Sequence, residues 1–226
     1  MKTLKESILS STKTGKSAFR PHTKEELIQI IKDEIDKNGL KCSLNHIDTS
    51  EITDMSCLFS DLGLSKFNGD ISKWNVSKVI DMTKMFFESN FNGDISEWDV
   101  SRVKYMNNMF CKSKFKGNLS KWKVSKVIDM NGMFAVCSFN GDISDWKIGC
   151  TTMYRMFSFN KKFNQDISKW DVCYVGDMCQ MFEYTNYDKD ISNWKINPDC
   201  DTTNMFYKCK TMQKEFKPFK KGKRVK

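Results

Sequence analysis

Six tryptophans stand at Trp74, Trp98, Trp122, Trp146, Trp170 and Trp194, and every gap between them is 24 residues. That recurrence restricts the chain to stacked equal units, because 24 residues cannot bury their own apolar side chains. The neighbouring letters keep the frame. Val76, Val79, Met82, Met85, Phe86, Phe91 and Ile95 follow Trp74; Val100, Val103, Met106, Met109, Phe110, Phe115 and Leu119 follow Trp98. Trp122 and Trp170 head matching sets, with Tyr187 in one Phe place. The Trp146 unit drops a residue before Met153 and regains it before Phe163. A leading unit (47–72) adds three residues before Phe67, and a worn unit runs from Trp194 to about Phe206. Imperfect end units are what a finite stack has.

One coil divides into three pieces. Phe91-Asn92-Gly93-Asp94-Ile95-Ser96 predicts a short extended segment, with Gly allowing close backbone approach. Apolar residues every third position from Val100 to Met106 suit a corner. Asp81-Met82-Thr83-Lys84-Met85-Phe86 predicts a one-turn helix or 3₁₀ turn, capped by Asp81, with Asp54, Asp129 and Asp177 in the same place. Ahead of the stack, Thr23 and Glu26 form a capping-box pattern. Leu27, Ile28, Ile30, Ile31 and Ile35 make an apolar face, and Gly39 ends the helix. That helix is the expected N-terminal cap. The divisions are a basic flexible segment (1–20), the capping helix and lead-in (21–46), the repeat body (47–206) and a basic tail (207–226).

The phrases WNVSKVIDMTKMF…FNGDIS, WDVSRVKYMNNMF…FKGNLS and WDVCYVGDMCQMF…YDKDIS resemble the repeat of BspA-like leucine-rich repeat proteins. TKEELIQIIKDEIDKNG…SLNHIDTSEITDMSCLF resembles that family's cap and first repeat. The resemblance covers roughly residues 21–206. It implies an α/β repeat solenoid, leucine-rich-repeat-like, with short parallel strands, short helical turns and the N-terminal capping helix. It also implies an interaction role, often at bacterial or host-associated surfaces. The expectation is a non-enzymatic scaffold with a protein of unknown identity as partner and a monomer as the favoured state.

Other classes are disfavoured by what the chain carries. No run approaches the roughly 18 apolar residues of a membrane span. The opening MKTLKESILSSTKTGKS lacks the apolar core of a secretory signal, so the expected location is the cytoplasm. Alternatives are a phage particle or a cell surface reached without a signal. Nine cysteines, an odd number at unequal offsets, argue against a disulfide framework and suit a reducing compartment. The two histidines, His22 and His46, fall at the cap, and no nucleophile–base arrangement or phosphate-cradling loop is legible. No enzyme activity, metal or cofactor is expected. Twelve of fourteen methionines sit at repeating offsets beside Phe and Val, which reads as core filling.

Two polar features remain as candidate sites. Asp70, Asp94, Asn118, Asp142, Asp166 and Asp190 recur at one offset; Ser72, Ser96, Ser120, Ser144, Ser168 and Ser192 recur two residues later. These columns either peg the turns of their own coils, form a partner-binding face, or hold Ca²⁺. Calcium wants six to eight oxygens, which one Asp and one Ser per coil scarcely supply. The second feature is charge. The net charge is +9, yet residues 207–226 carry nine Lys or Arg against one Glu, and residues 1–20 carry five against one. The repeat body is therefore mildly acidic. Lys217, Lys220, Lys221, Lys223, Arg224 and Lys226 form a candidate polyanion-binding tail, able to contact nucleic acid weakly and without sequence preference. Its alternatives are a solubilising role and docking on an acidic protein or membrane surface. A virion- or nucleic-acid-associated role acting through the tails is thus the alternative function.

Overall fold

The computed structural model describes residues 9–11, 17–60, 63–220 and 223–225. Within each coil the backbone runs through linked hydrogen-bonded turns. Met85 donates its N–H to the Met82 carbonyl, Phe87 to Lys84 and Ser89 to Phe86, at 3.1–3.2 Å. The intervening N–H groups point into the next coil. Met82, Lys84, Phe86 and Glu88 donate to the carbonyls of Tyr105, Asn107, Met109 and Cys111 at 2.9–3.0 Å. The same four rungs join Met178, Gln180, Phe182 and Tyr184 to Asp201, Thr203, Met205 and Tyr207.

Two residues per coil are left-handed, as in Lys84 (φ 54°) and Glu88 (φ 53°), Val136 (φ 53°), Phe159 (φ 59°) and Tyr184 (φ 54°). This geometry overturns the expected α/β class. Two positive φ values within a few residues are incompatible with a strand and equally break a helical turn. Among the described residues the repeats therefore carry no parallel strands, and the segments after Asp81 and its equivalents are linked turns rather than helix; one 3₁₀ turn, Leu64–Lys66, lies in the leading unit. Successive coils meet instead at single-residue parallel bridges, Asp54 to Asp81, Asp81 to Tyr105, and onward to Asp177 and Asp201. Asp54, Asp81, Asp129 and Asp177 do not cap helices. Each accepts the N–H two residues on, from Ser56, Thr83, Asn131 and Cys179, at 2.7–2.9 Å. That is an Asx turn.

Strands among the described residues lie at the ends. β1 (Leu9–Ser11) pairs antiparallel with β2 (Ser17–Phe19), and β3 (Phe219–Lys220) pairs antiparallel with β4 (Lys223–Arg224). Helix α1 (Lys24–Asn38) begins where the Thr23 hydroxyl accepts the Glu26 N–H, and ends at Gly39 (φ 82°). Glu26 reaches back to the His22 N–H at 2.7 Å, one residue beyond the expected capping-box partner. Leu27, Ile30 and Ile31 are buried in the common core, and Lys24 bonds the Ser56 hydroxyl at 2.6 Å. At the far end, Phe216 accepts the Ile191 N–H and Val225 is buried. Both ends of the apolar core are thus covered.

Aromatic columns fill the interior. Phe59, Phe86, Phe110, Phe134, Phe157, Phe182 and Phe206 stack at 5.5–5.8 Å between ring centroids. The Trp column is buried as well, and its indoles do more than fill space. Each Trp Nε1 donates to a carbonyl of the preceding coil: Trp98 to Ile71, Trp122 to Ile95, Trp146 to Leu119 and Trp170 to Ile143, at 3.0–3.2 Å. An apolar ring that also satisfies a buried carbonyl suits this place better than Phe would. Gly69 and Gly149 mark the tightest backbone approaches, since a Cβ there would lie 2.0 Å from the Cys42 or Ser125 carbonyl oxygen.

Trp122→Ala is expected to cost about 3–5 kcal/mol in urea denaturation, through the cavity and the orphaned carbonyl. Val136 is a β-branched, half-exposed residue held at positive φ, where Asn is tolerated at much less strain. Val136→Asn is therefore expected to raise stability by about 0.5–1 kcal/mol, read by the same titration.

Candidate functional site

The Asp/Ser columns lie beside the Trp column, on the surface. Every member of the first column accepts the N–H of the serine two residues on. The distances are 3.0 Å for Asp70–Ser72 and 2.9 Å for Asp94–Ser96, Asn118–Ser120, Asp142–Ser144, Asp166–Ser168 and Asp190–Ser192. The N–H bond, then the serine hydroxyl, holds the Asp70, Asp94, Asp142 and Asp166 carboxyls below the ordinary range. These residues recur because each coil closes the same Asx turn. The exposed residues just after the Ser column alternate in sign from Lys73 to Lys169 and pair across coils, as Lys121 does with Glu97 and Lys169 with Asp145.

Three potential ligand atoms, from Asp177, Cys179 and Asp201, lie within 4.8 Å of one another. Both carboxylates already hold backbone N–H groups. Desolvation and the two aspartates push the Cys179 thiol up, away from the thiolate that soft metals need. The nine cysteines are unpaired, and burial pushes Cys137 and Cys150 up to about 12. His46 Nε2 lies 3.2 Å from Glu34 of α1.

In the C-terminal segment, Lys217 places its ammonium 5.1 Å from the Phe206 ring centroid. Lys220 belongs to β3, and Lys223 and Arg224 to β4. Lys221 and Lys226 lie outside the described residues, as does most of the N-terminal segment.

A different face draws attention once the turns are placed. Around the recurring Met and Phe of each ladder, four positions change chemical type from coil to coil, the third of them buried in the middle coils at Cys111, Ala135, Ser158 and Glu183. Thr83, Lys84, Phe87 and Glu88 give way to Asn107, Asn108, Cys111 and Lys112, then to Asn131, Gly132, Ala135 and Val136. Tyr154, Arg155, Ser158 and Phe159 follow, then Cys179, Gln180, Glu183 and Tyr184, then Thr203, Asn204, Tyr207 and Lys208. Early in the stack the outermost column is polar, with Lys112 on Glu88 at 2.6 Å. Further along it becomes apolar and then aromatic, at Val136, Phe159 and Tyr184, before ending in Lys208 beside Tyr207. Phe159 stacks on Tyr184 at 4.6 Å, Tyr184 meets Tyr207 edge-on at 5.7 Å, and Val136, Phe159 and Tyr207 are each more than two-fifths exposed. Beneath them Glu183, 6 % exposed, accepts from the Ser158 hydroxyl and the Gln180 amide, with Arg155 at 3.8 Å. The turn-face set was missed in the sequence, although failure to recur between recurring letters is its signal.

A stack of turn-built coils with an invariant interior and a varying face is a repeat protein. A family described as "Mycoplasma protein of unknown function, DUF285" matches residues 31–146 and 111–219, and the chain belongs to it. No curated protein and no solved structure matches.

The four depressed carboxyls contribute stability that is present at neutral pH and lost as pH falls below about 4. Asn118 shows that an amide closes the same turn. Asp94→Asn with Asp142→Asn is therefore expected to leave thermal stability at pH 7 nearly unchanged and to lessen its fall toward about pH 3, read by circular dichroism melting. An unaltered acid loss would assign that sensitivity elsewhere.

Proposed function

We propose that the chain is a non-enzymatic protein-interaction scaffold of the BspA-like kind, and that it recognises its partner through the turn face. One observation carries this reading. Each coil holds its Met, Phe and Trp constant while the turn-face residues differ, so a fixed backbone presents a changing set of side chains. Residues that only close turns recur, as the Asp and Ser columns do. Residues selected for an external surface need not. Val136, Phe159 and Tyr184 strengthen the case, because bulky side chains at positive φ cost free energy that Gly or Asn would avoid. Aromatic side chains and Arg are also the usual anchors of protein interfaces. No two of the nine thiols are bonded, which supports a reducing compartment as the place of action.

Phe159→Ser with Tyr184→Ser is expected to weaken capture of the native partner by about tenfold or more. The partner is identified by proximity labelling in cells that make the protein. The double variant should melt close to the wild type. Asp94→Asn with Asp142→Asn should retain capture. The reverse pattern would return recognition to the Asp/Ser columns.

A further inference from the structure

Along the turn segment of each coil the ladder is polar in one direction. From Met82 to Glu88, and at the equivalent places of the other coils, the N–H belongs to the earlier coil and the carbonyl to the later one, whereas just ahead of that segment the direction reverses, with Lys104 and Ile128 donating back to the Ile80 and Lys104 carbonyls at 2.8 Å. Along that segment each coil thus shows acceptors to its predecessor and donors to its successor. The last coil has no successor coil among the described residues. The N–H groups of Thr202, Asn204, Phe206 and Lys208 occupy the places of Met178, Gln180, Phe182 and Tyr184, and no described group accepts them. Phe206 is itself only 5 % exposed, and an orphaned donor on a buried residue is uncommon in a folded protein. Aligned N–H groups of this kind make a fixed positive edge, as they do at a helix start or in a backbone nest.

The charges beside this edge have the same sign. Lys208 lies 5.8 and 5.7 Å from the Tyr184 and Tyr207 ring centroids, and the Lys217 ammonium sits over Phe206. Asp201 stands at the Thr202 end, with one oxygen on the Thr203 N–H. The positive stretch is therefore Asn204 to Lys208. Two occupants fail on geometry. A second copy placed edge to edge would set donors against donors. A second copy placed head to tail would need the acceptor edge of the first coil, where α1 lies with Lys24 on Ser56. A regular strand offers donors as well as acceptors, so backbone pairing alone does not complete the row. Carboxylates on one face of an extended chain do, recurring at alternate residues about 6.6–6.8 Å apart. Nucleic acid fits less well. Lys208 lies over both tyrosines, and Tyr184 is stacked on Phe159, so open ring faces for bases are lacking.

We propose that the donor edge of the last coil, Asn204 to Lys208, binds an extended acidic peptide segment whose alternate carboxylates take the N–H groups that no described group accepts, with Lys208 beside them and Tyr207 against an apolar neighbour. This site goes beyond the turn-face reading and stands on ladder polarity, so it can fail or survive separately.

The test uses the full chain with a fluorescein-labelled eight-residue peptide of alternating Glu and Val. A Lys–Val peptide and an oligothymidine of similar length are the controls. Fluorescence anisotropy at low salt is expected to show the Glu–Val peptide binding at least about tenfold tighter than either control, with Lys208→Glu weakening it about tenfold. In ¹⁵N spectra the amides of Asn204, Phe206 and Lys208 should shift on binding, while those of Lys84 and Phe86, already paired, should not. Absence of binding, binding indifferent to peptide charge, preference for oligothymidine, or binding without those amide shifts would each overturn the proposal. Loss of partner capture by the Phe159/Tyr184 variant is a separate readout and does not bear on these amides.

Discussion

Along its turn segment each coil hands its N–H groups to the carbonyls of the next, and the rest of the structure depends on that one-way run of rungs. It fixes the distance between coils, which brings Phe onto Phe and Trp onto Trp at 5.5–6.5 Å. It also fixes orientation. Alternate N–H groups along 82–89 are committed to the neighbour, and the others close turns within the coil. A backbone so fully occupied has no freedom to become a strand or a helix. Apolar burial then supplies most of the driving force, as in other repeat proteins, and the ladder decides what shape that burial takes.

The polar columns follow from the same geometry. Where the chain bends around the stack it leaves N–H groups that neither the ladder nor the interior can satisfy, and buried or crowded backbone donors must be paired. Asp, Asn and Ser serve locally, three Asx turns to many of the coils: Asp48 with Ser50, Asp54 with Ser56 and Asp70 with Ser72 in the leading unit. The Trp indole does the equivalent task inside, reaching back to the preceding coil. Repetition of these residues therefore reports construction. In the proposed reading, change at the outermost turn position, from Glu88 and Lys112 through Val136, Phe159 and Tyr184 to Lys208, serves recognition.

Much of this was legible in the letters. The 24-residue frame, the buried Trp, Met and Phe columns, and the Thr23-to-Gly39 helix were all readable, because hydrophobic periodicity and capping chemistry are local signals. The turn character of the repeats was not. Left-handed residues usually announce themselves as Gly or Asn, but here only Asn108, Asn204 and Gly132 do so among these ladder positions, the rest including Lys84, Glu88, Lys112, Val136, Phe159 and Tyr184. The apolar spacing of Met82, Met85 and Phe86 suits a short helix as well as linked turns, and only the inter-coil bonds separate the two. At the candidate site, the recurring Asp and Ser drew the eye because they recur. The turn face was hidden by its own variability, and the donor edge was invisible because backbone polarity leaves no trace in side-chain identity.

The one-way ladder is open to direct observation by through-hydrogen-bond ¹⁵N–¹³C′ couplings in isotope-labelled protein. Couplings are expected from the amide nitrogens of Lys84, Phe86 and Glu88 to the carbonyl carbons of Asn107, Met109 and Cys111. The same experiment should show none running from the later coil to the earlier one at these rungs. Couplings in both directions along 82–88 and 105–111 would describe an ordinary β-ladder, and would contradict the account.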